Sequence, residues 1–149
     1  MAARVTRARG VGGDLSEEAF RAQVEGLARF YGWLIYHAPD KRPSGRTGRV
    51  QRVTRGFPDE VLVRGPELLV VELKAERGRL GPGQQEWLDA FGVVSAAVAA
   101  LVAAVDGIGL APNVERPAVE AYLWRPSDWD AIEERLARGR SRAHVPAPV

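Results

Sequence analysis

Two short runs of strand-forming residues on either side of the dipeptide Gly65-Pro66 constrain the fold of this chain more than any other feature. The runs, Val61 to Arg64 and Leu68 to Lys74, are rich in Val and Leu, and Gly-Pro favours a turn. The sequence therefore predicts a β-hairpin about Gly65-Pro66. Because side chains alternate along a strand, Glu72 and Lys74 project from one face near the end of the second strand.

The hairpin also determines what lies opposite this charged pair. If the two runs pair across the turn, Asp59, which follows Pro58, falls opposite the strand end that carries Glu72 and Lys74. Two carboxylates and an ammonium group then converge. Mg²⁺ takes oxygen ligands in such small sets, and sites of this kind act on phosphate esters. The alternative is an ordinary surface ion pair between Glu72 and Lys74, which would contribute little to stability.

Helical spacing and turn residues predict the other elements. A first helix is capped by Asp14 or Ser16 and stopped by Gly32. The remaining elements are predicted as follows: a strand from Trp33 to Tyr36, a helix after Pro82, an apolar segment from Val93 to Val105, a loop from Gly107 to Pro117, a strand from Val119 to Trp124 and a helix capped by Ser127. The order helix, three strands, helix, strand, helix predicts an α/β fold with a mixed sheet flanked by helices.

Charge is distributed unevenly along the chain. The net charge is +2, yet the segment from Asp59 to Glu134 holds 14 acidic and 6 basic residues. The positive charge lies near the two ends and in a middle block that consists of Lys41, Arg42, Arg46, Arg49, Arg52 and Arg55. Basic segments beside an acidic body indicate a polyanionic partner held around a site that needs carboxylates. The alternative is that these segments are solvated surface and frayed ends.

Composition excludes several kinds of site. The chain has no cysteine and two histidines, His37 and His144, so disulfides, thiolate metal sites and a histidine-rich metal site are excluded. The arginines near the N-terminus lead into no apolar signal core, and the run Val93 to Val105 is shorter than the ~20 residues of a membrane-spanning helix. We therefore expect a cytoplasmic protein without membrane contact.

Several motifs, in order, resemble those of a nuclease family. Gly56 to Asp59 followed by Glu72 to Lys74 resembles the PD-(D/E)xK signature of metal-dependent nucleases. Gly78 to Leu88, in which Gln84 opens a helix, is similar to the segment after the lysine in VRR-NUC (virus-type replication-repair nuclease) domains. The other matches are the first helix, from Glu17 to Trp33, and the segment Trp124 to Trp129, which is similar to stand-alone phage and prophage members. The resemblance covers roughly residues 16 to 137 and implies a restriction-endonuclease-like core.

The resemblance implies a role for each residue of the site. The implied set is Glu17, Asp59, Glu72 and the Leu73 carbonyl as ligands of Mg²⁺ or Mn²⁺, Lys74 as the residue that positions the attacking water, and Gln84 at the rim. Helical spacing agrees for Glu17, which shares a helix face with Phe20 and Val24. The alternative for Glu17 is an electrostatic role at the helix N-terminus, and Glu18 is expected to turn away.

The activity that the resemblance implies is hydrolysis of DNA phosphodiester bonds by a metal-dependent endonuclease in replication, repair or recombination. The basic loop from Lys41 to Arg55 would then contact backbone phosphates without reading sequence. Junctions, flaps, ends and plain duplex all stay open as substrates. Two other classes are considered: a non-catalytic protein that binds DNA junctions or ends on a nuclease fold, and a small-molecule phosphohydrolase, which would not need so large a basic loop.

The chain is predicted to form one folded domain with flexible ends. The predicted parts are a basic arm (1–15), a nuclease-like domain (16–138) with a basic loop (41–56) and an apolar insertion (93–117), and a disordered tail (139–149). We expect His37 to end a strand without catalytic duty, and Trp124 and Trp129 to lie in the core.

The apolar insertion departs from the family pattern, in which a short link leads into the last strand. Its first part, Val93 to Val105, contains no charged residue. A helix that is apolar on every face must be covered on every face. The sequence therefore predicts a homodimer that covers part of this helix, with burial inside the monomer beneath the loop Gly107 to Pro117 as the alternative.

Overall fold

The computed structural model of the protein describes residues 15–38, 56–109 and 115–138. The helices are α1 (Glu17–Phe30), α2 (Gln84–Gly107) and α3 (Trp129–Ala137), and the strands are β1 (Leu34–His37), β2 (Glu60–Arg64), β3 (Glu67–Leu73) and β4 (Ala118–Trp124). Residues 41–55 of the predicted basic loop, which hold Lys41, Arg42, Arg46, Arg49, Arg52 and Arg55, lie outside the described residues, as do the predicted tail and all of the predicted arm except Leu15.

The four strands form one mixed sheet in the order β1-β2-β3-β4. β1 pairs antiparallel with β2, β2 pairs antiparallel with β3, and β3 pairs parallel with β4. The predicted mixed sheet with flanking helices is therefore confirmed. The predicted hairpin is confirmed as well, because Arg64 pairs with Glu67 across the turn at Gly65-Pro66, where Gly65 has a φ of +55°. β2 and β4 begin one residue before their predicted starts, and β1 and β3 are shifted from their predicted bounds by one residue at both ends.

The hydrophobic core lies between the sheet and the helices α1 and α3. α1 is amphipathic because its buried residues recur at helical spacing, and the inward-facing residues of β2 and β3 meet them. The buried core consists of Phe20, Val24, Leu27, Ala28, Trp33, Leu62, Leu69, Val71, Leu73, Trp124, Trp129, Ile132 and Leu136. The prediction that Trp124 and Trp129 belong to the core is confirmed.

The helix ends agree with the sequence at α1 and differ at α3. Ser16 caps α1, since its hydroxyl accepts a hydrogen bond from the Ala19 N–H at 3.2 Å. The predicted Ser127 cap of α3 is wrong. Ser127 lies inside a 3₁₀ turn, Pro126–Asp128, that precedes α3, and its N–H donates to the Glu76 carboxylate at 3.0 Å. The Pro-Ser-Asp triplet forms this tighter turn before the helix begins at Trp129.

A buried ion cluster ties α3 to the sheet. The Arg135 guanidinium is 4% exposed and contacts Glu67 at 2.7 Å and Glu120 at 2.8 Å. Burying a charged guanidinium costs free energy. The two carboxylates offset that cost because they pair with it. Glu67 begins β3, so this cluster stabilises the end of the sheet away from Glu72.

Helix α2 is one continuous helix from Gln84 to Gly107, so the apolar residues that follow residue 92 extend this helix and form no separate one. Alanine, valine and leucine continue the helical backbone past Gly92 without a breaker. α2 packs along β4, while Val93 and Leu101 on its other side are 71% and 66% exposed. Within the described residues, α2 is therefore not fully buried in the monomer, as the alternative required. The homodimer stays a prediction.

By length and composition alone, α2 is the one helix among residues 15–38, 56–109 and 115–138 that could cross a membrane. The sequence-based expectation that the apolar stretch is too short considered only Val93 to Val105, whereas the helix is 24 residues long. The absence of membrane contact and the cytoplasmic location stay predictions.

Candidate active site

Asp59 and the end of β3 meet at one edge of the hairpin. Asp59 precedes β2, and the register that pairs Glu60 with Val71 brings it beside Glu72. The Asp59 carboxylate accepts a hydrogen bond from the Leu73 N–H at 2.9 Å. Leu73, whose carbonyl is a predicted metal ligand, is therefore held against Asp59 through its own backbone.

Glu72 and Lys74 form a buried ion pair. The Lys74 Nζ lies 2.7 Å from the Glu72 Oε1, the Glu72 side chain is fully buried, and Lys74 is 9% exposed. The alternative of a surface ion pair is therefore wrong for these residues. Burying two charges is costly unless their geometry and further hydrogen bonds compensate, so a pair at this depth requires a close and well-bonded arrangement.

Gln84 supplies such a further hydrogen bond. It is the first residue of α2, it is 7% exposed, and its side-chain amide donates to the Glu72 carboxylate. Its side-chain oxygen accepts from the Gly81 N–H at 2.5 Å. The amide is thus oriented from both ends, and Gln84 lies within the site next to Glu72.

Close packing of two glycines brings Asp59 and Gln84 to the same place. Gly56 and Gly83 both have positive φ, at 82° and 85°. A Cβ on Gly56 would lie 2.4 Å from the Gly83 carbonyl carbon and 2.8 Å from the Gln84 nitrogen. Only glycine allows this approach of two backbones, and the approach fixes the segment before Asp59 against the start of α2.

An aromatic cluster supports the same junction. Phe57 packs edge-on against Trp87 with ring centroids 5.0 Å apart, and against Phe91 at 6.1 Å. Trp87 and Phe91 stack on each other along α2 at 5.9 Å. Edge-to-face and offset rings at these distances attract one another beyond simple burial, so the first turns of α2 are held against the segment before Asp59.

Glu17 faces the site and Glu18 does not. Glu17 lies in the first turn of α1, and its Oε2 is 3.8 Å from the Lys74 Nζ. Its side chain is 42% exposed, so it lies at the open side of the site. Glu18 is exposed to solvent. The structure therefore brings together five predicted site residues, which are Glu17, Asp59, Glu72, Lys74 and Gln84.

The carboxylates keep Lys74 charged. Burial by itself would lower the pKa of Lys74, but the hydrogen bond to Glu72 and the charges of Glu72, Glu17 and Asp59 outweigh burial and raise the pKa above its usual value. Lys74 is therefore protonated at neutral pH. It can donate hydrogen bonds and supply positive charge.

The donor set fits a hard divalent cation by its chemistry. Three carboxylates, from Glu17, Asp59 and Glu72, surround one ammonium group, which leaves an excess of negative charge around oxygen ligands of the type that Mg²⁺ and Mn²⁺ prefer. In the described part of the chain, however, these three carboxylates do not form a group with ligand atoms all within 4.8 Å of one another. Lys74 lies between Glu72 and Glu17 in this structure.

A second polar cluster, which the sequence analysis missed, lies on the core side of the sheet edge. The potential ligand atoms of Glu25, His37 and Glu60 all lie within 4.8 Å of one another. The His37 Nδ1 is 3.1 Å from Glu60, and its Nε2 is 2.8 Å from the Arg21 guanidinium. An arginine only donates, so Nε2 must accept and Nδ1 must carry the proton. His37 then has no lone pair left for a metal.

The sequence contains the residues of this cluster, but predicting their contact requires the register of β1 on β2. Arg21 and Glu25 are one helical turn apart, and His37 pairs with Glu60 across β1 and β2. His37 lies at a strand end, as expected, but it links Arg21 to Glu60. Its contacts with these two side chains occupy both ring nitrogens.

Glu60 holds a proton at neutral pH. Its burial, and then the charge of the adjacent Glu25 carboxylate, raise the pKa of Glu60 to about 8. Protonation of Glu60 removes the repulsion that two neighbouring carboxylates would have. Arg21, His37 and Glu60 are therefore joined by hydrogen bonds, with Glu25 beside them, while the Glu60 Oε2 has no hydrogen-bond partner among the described residues.

This protonation makes stability depend on pH. The pKa of Glu60 is higher in the folded chain than in the unfolded one, so the folded state binds more protons between about pH 5 and 8. The free energy of unfolding therefore falls as pH rises through that range, by at most ~1.4 kcal/mol per pH unit. Glu60→Gln keeps a neutral side chain, so we expect it to flatten this dependence and to be more stable than the wild type at pH 9. Urea unfolding of both proteins in the presence of chelator, at pH 5 to 9, measures the free energy of unfolding.

Glu134→Gln is the matched control, since Glu134 is an exposed acid of α3 and its loss removes the same formal charge. It should follow the wild-type curve. A Glu60→Gln protein that loses stability in parallel with the wild type from pH 5 to 9 would show that Glu60 is ionised throughout.

No protein-family model, curated protein or solved structure matches this chain. The interpretation of the site therefore depends on its own geometry and charges.

Proposed function

We propose that this chain is a metal-dependent nuclease that hydrolyses phosphodiester bonds in DNA, as the resemblance to VRR-NUC domains implies. The observation that carries the proposal is the buried Glu72–Lys74 pair, contacted by Gln84 and lying beside Asp59 at one end of the hairpin. Buried ion pairs can often be replaced by apolar side chains without loss of stability, so stability alone is a weak reason for such a pair. Charged groups buried together beside an open, acidic edge are instead typical of catalytic sites.

Each side chain of the site has its own role in the proposed reaction. Glu17, Asp59 and Glu72 would hold Mg²⁺ or Mn²⁺, with the Leu73 carbonyl as a further ligand. A bound cation of this kind stabilises the negative charge that develops on a phosphate as it is attacked. Lys74, which stays protonated, orients the attacking water and places positive charge beside the phosphate. Gln84 fixes the Glu72 carboxylate in place.

A second candidate is a protein that binds DNA ends or junctions without cutting them. The observation that favours it is the position of Lys74, which lies between Glu72 and Glu17 and neutralises part of the charge that a cation would neutralise. In such a protein the ion pair would be architectural. The two candidates differ in a single measurable property, which is cleavage that requires a divalent cation.

The test is a cleavage assay on labelled junction, flap, single-stranded and duplex DNA with Mg²⁺ or with excess chelator. We expect cutting with Mg²⁺ or Mn²⁺ alone, and we expect Asp59→Asn to abolish it without abolishing DNA binding. Glu17→Gln and Glu18→Gln form a matched pair on adjacent residues of one helix turn. Because only Glu17 contacts Lys74, Glu17→Gln should raise the metal concentration needed for half-maximal rate, and Glu18→Gln should not.

The outcomes separate the two candidates. Cutting that continues in chelator would refute the metal-dependent mechanism. Tight DNA binding with no cleavage of any substrate would favour the architectural protein. Equal effects of Glu17→Gln and Glu18→Gln would show that Glu17 has only an electrostatic role at the helix N-terminus. The substrate that is cut fastest identifies the DNA structure for which the site is selective.

A further inference from the structure

The loop that joins β3 to α2, residues 75–83, begins and ends at the candidate site. Lys74 precedes it and Gln84 follows it, and both side chains contact Glu72. The loop therefore forms a rim of the site and cannot lie far from Glu72. Arg77 follows Lys74 by three residues, which a chain spans in at most roughly 11 Å.

One arginine from the β4–α3 connection holds this loop in place. The Arg125 Nη1 donates to three carbonyl oxygens of the loop, at 2.9 Å to Ala75, 3.2 Å to Glu76 and 2.8 Å to Gly78. The Gly78 N–H donates to the Ala75 carbonyl at 2.9 Å and closes a turn, with Arg77 near its tip. A guanidinium group satisfies several carbonyls at once because its donors are fixed in one plane.

Two side chains of this loop, Arg77 and Arg79, have no role within the described fold. Both are exposed, and neither forms an ion pair or a hydrogen bond with residues 15–38, 56–109 or 115–138. Positive charge is scarce in this acidic part of the chain, where the other basic side chains of the described residues near the site, Lys74 and Arg125, are engaged. Two unengaged guanidinium groups on a firmly held rim are suited to an anionic ligand.

We infer that Arg77 and Arg79 bind backbone phosphates of DNA beside the bond to be cut, and that Arg125 is a positioning residue that holds the loop for them. The inference rests on the proposed nuclease function. Arginine binds phosphate oxygens in a forked geometry, and such contacts fix the register of the nucleic acid without reading its sequence. Arg77 and Arg79 lie two residues apart, so they can reach neighbouring phosphates of one strand.

The test measures binding of labelled duplex DNA by anisotropy in chelator, across a range of salt concentrations. Arg77→Ala/Arg79→Ala should weaken binding and reduce the slope of log affinity against log salt by roughly 1.8, since each lost phosphate contact reduces it by about 0.9. Arg116→Ala is the matched control. Arg116 precedes β4 at the opposite end of the sheet from Lys74 and pairs with Asp106, so its loss should leave the slope near the wild-type value.

Arg125→Met tests the positioning role by a double-mutant cycle. It should weaken DNA binding in the wild-type background and have no further effect in the Arg77→Ala/Arg79→Ala background, because it acts through those side chains. Arg125→Lys should restore part of the binding, since an ammonium group also donates to carbonyls. A direct contact of Arg125 with DNA would give an equal loss in both backgrounds and would overturn the positioning role.

The results separate this inference from the proposed activity. Metal-dependent cleavage by the wild type, with an unchanged salt slope in the Arg77→Ala/Arg79→Ala protein, would overturn the inference alone. A reduced slope in a chain that never cuts DNA would support phosphate binding by Arg77 and Arg79 and would overturn the proposed activity. A wild type that binds no duplex DNA in low salt would overturn the inference as well.

Discussion

The double variant Glu72→Gln/Lys74→Met will fold about as stably as the wild type and will not cut DNA, whereas Lys74→Met alone will be both unstable and inactive. Lys74→Met leaves the Glu72 carboxylate fully buried without its ammonium partner, which costs about 3–5 kcal/mol in comparable buried pairs. Removing both charges leaves a neutral amide that can still accept from Gln84. Stability therefore returns in the double variant.

The double variant stays inactive although its stability is restored. The proposed reaction needs a carboxylate at position 72 and an ammonium at position 74, and loss of one group that stabilises the transition state lowers rates by about 100-fold or more. Urea unfolding and Mg²⁺-dependent cleavage of the best substrate, measured on the two variants and the wild type, give both quantities. DNA binding in chelator should persist in the double variant.

The design distinguishes a catalytic pair from a purely structural one. If the double variant cuts DNA at the wild-type rate, the pair serves the fold alone and the catalytic roles proposed for Glu72 and Lys74 are wrong. If Lys74→Met is as stable as the wild type, the Glu72 carboxylate is accommodated without Lys74, and the buried pair is not a stability determinant.

Gly56→Ala will destabilise the fold by roughly 2–5 kcal/mol and will also impair the site. The backbone at Gly56 has a φ of +82°, which costs a residue with a Cβ about 1–2 kcal/mol. The added Cβ would also lie 2.7 Å from the Gly83 oxygen, and overpacking against such an inflexible neighbour costs about 1–3 kcal/mol. Because relief must move Asp59 or Gln84, cleavage should fall with stability.

Gly32→Ala is the control that separates the two causes. Gly32 has the same φ of +82°, but a Cβ there meets nothing within 4 Å among the described residues. It should lose only the conformational part, and its cleavage rate should equal that of the wild type. Unfolding of both variants by urea gives the difference directly. Equal losses of stability would show that the backbones of Gly56 and Gly83 separate at little cost.

Much of the fold follows from local sequence signals. Gly65-Pro66 between two apolar runs specified the hairpin, and alternation along β3 placed Glu72 and Lys74 on one face. The spacing of Phe20, Val24 and Leu27 gave the buried face of α1. These features depend on neighbours within a few residues, so the sequence alone contains them.

Other features depend on contacts between distant segments. The depth of the Glu72–Lys74 pair was not predicted, because burial depends on how α2 and the segment before Asp59 come together. The pairing of His37 with Glu60 needs the register of β1 on β2, which no turn between them specifies. The extent of α2 was missed because the resemblance placed a boundary at Val93 where the helical backbone continues.

The connection of β3 to β4 has a consequence for the order in which the chain folds. β2 and β3 close over a two-residue turn, whereas β4 can pair with β3 only after the whole of α2 has crossed over. Short loops close at lower entropic cost than long ones, so local pairing precedes distant pairing. We therefore expect Asp59, Glu72 and Lys74 to come together early in a hydrated hairpin. Docking of α2 then removes water from them in a late step that completes the site.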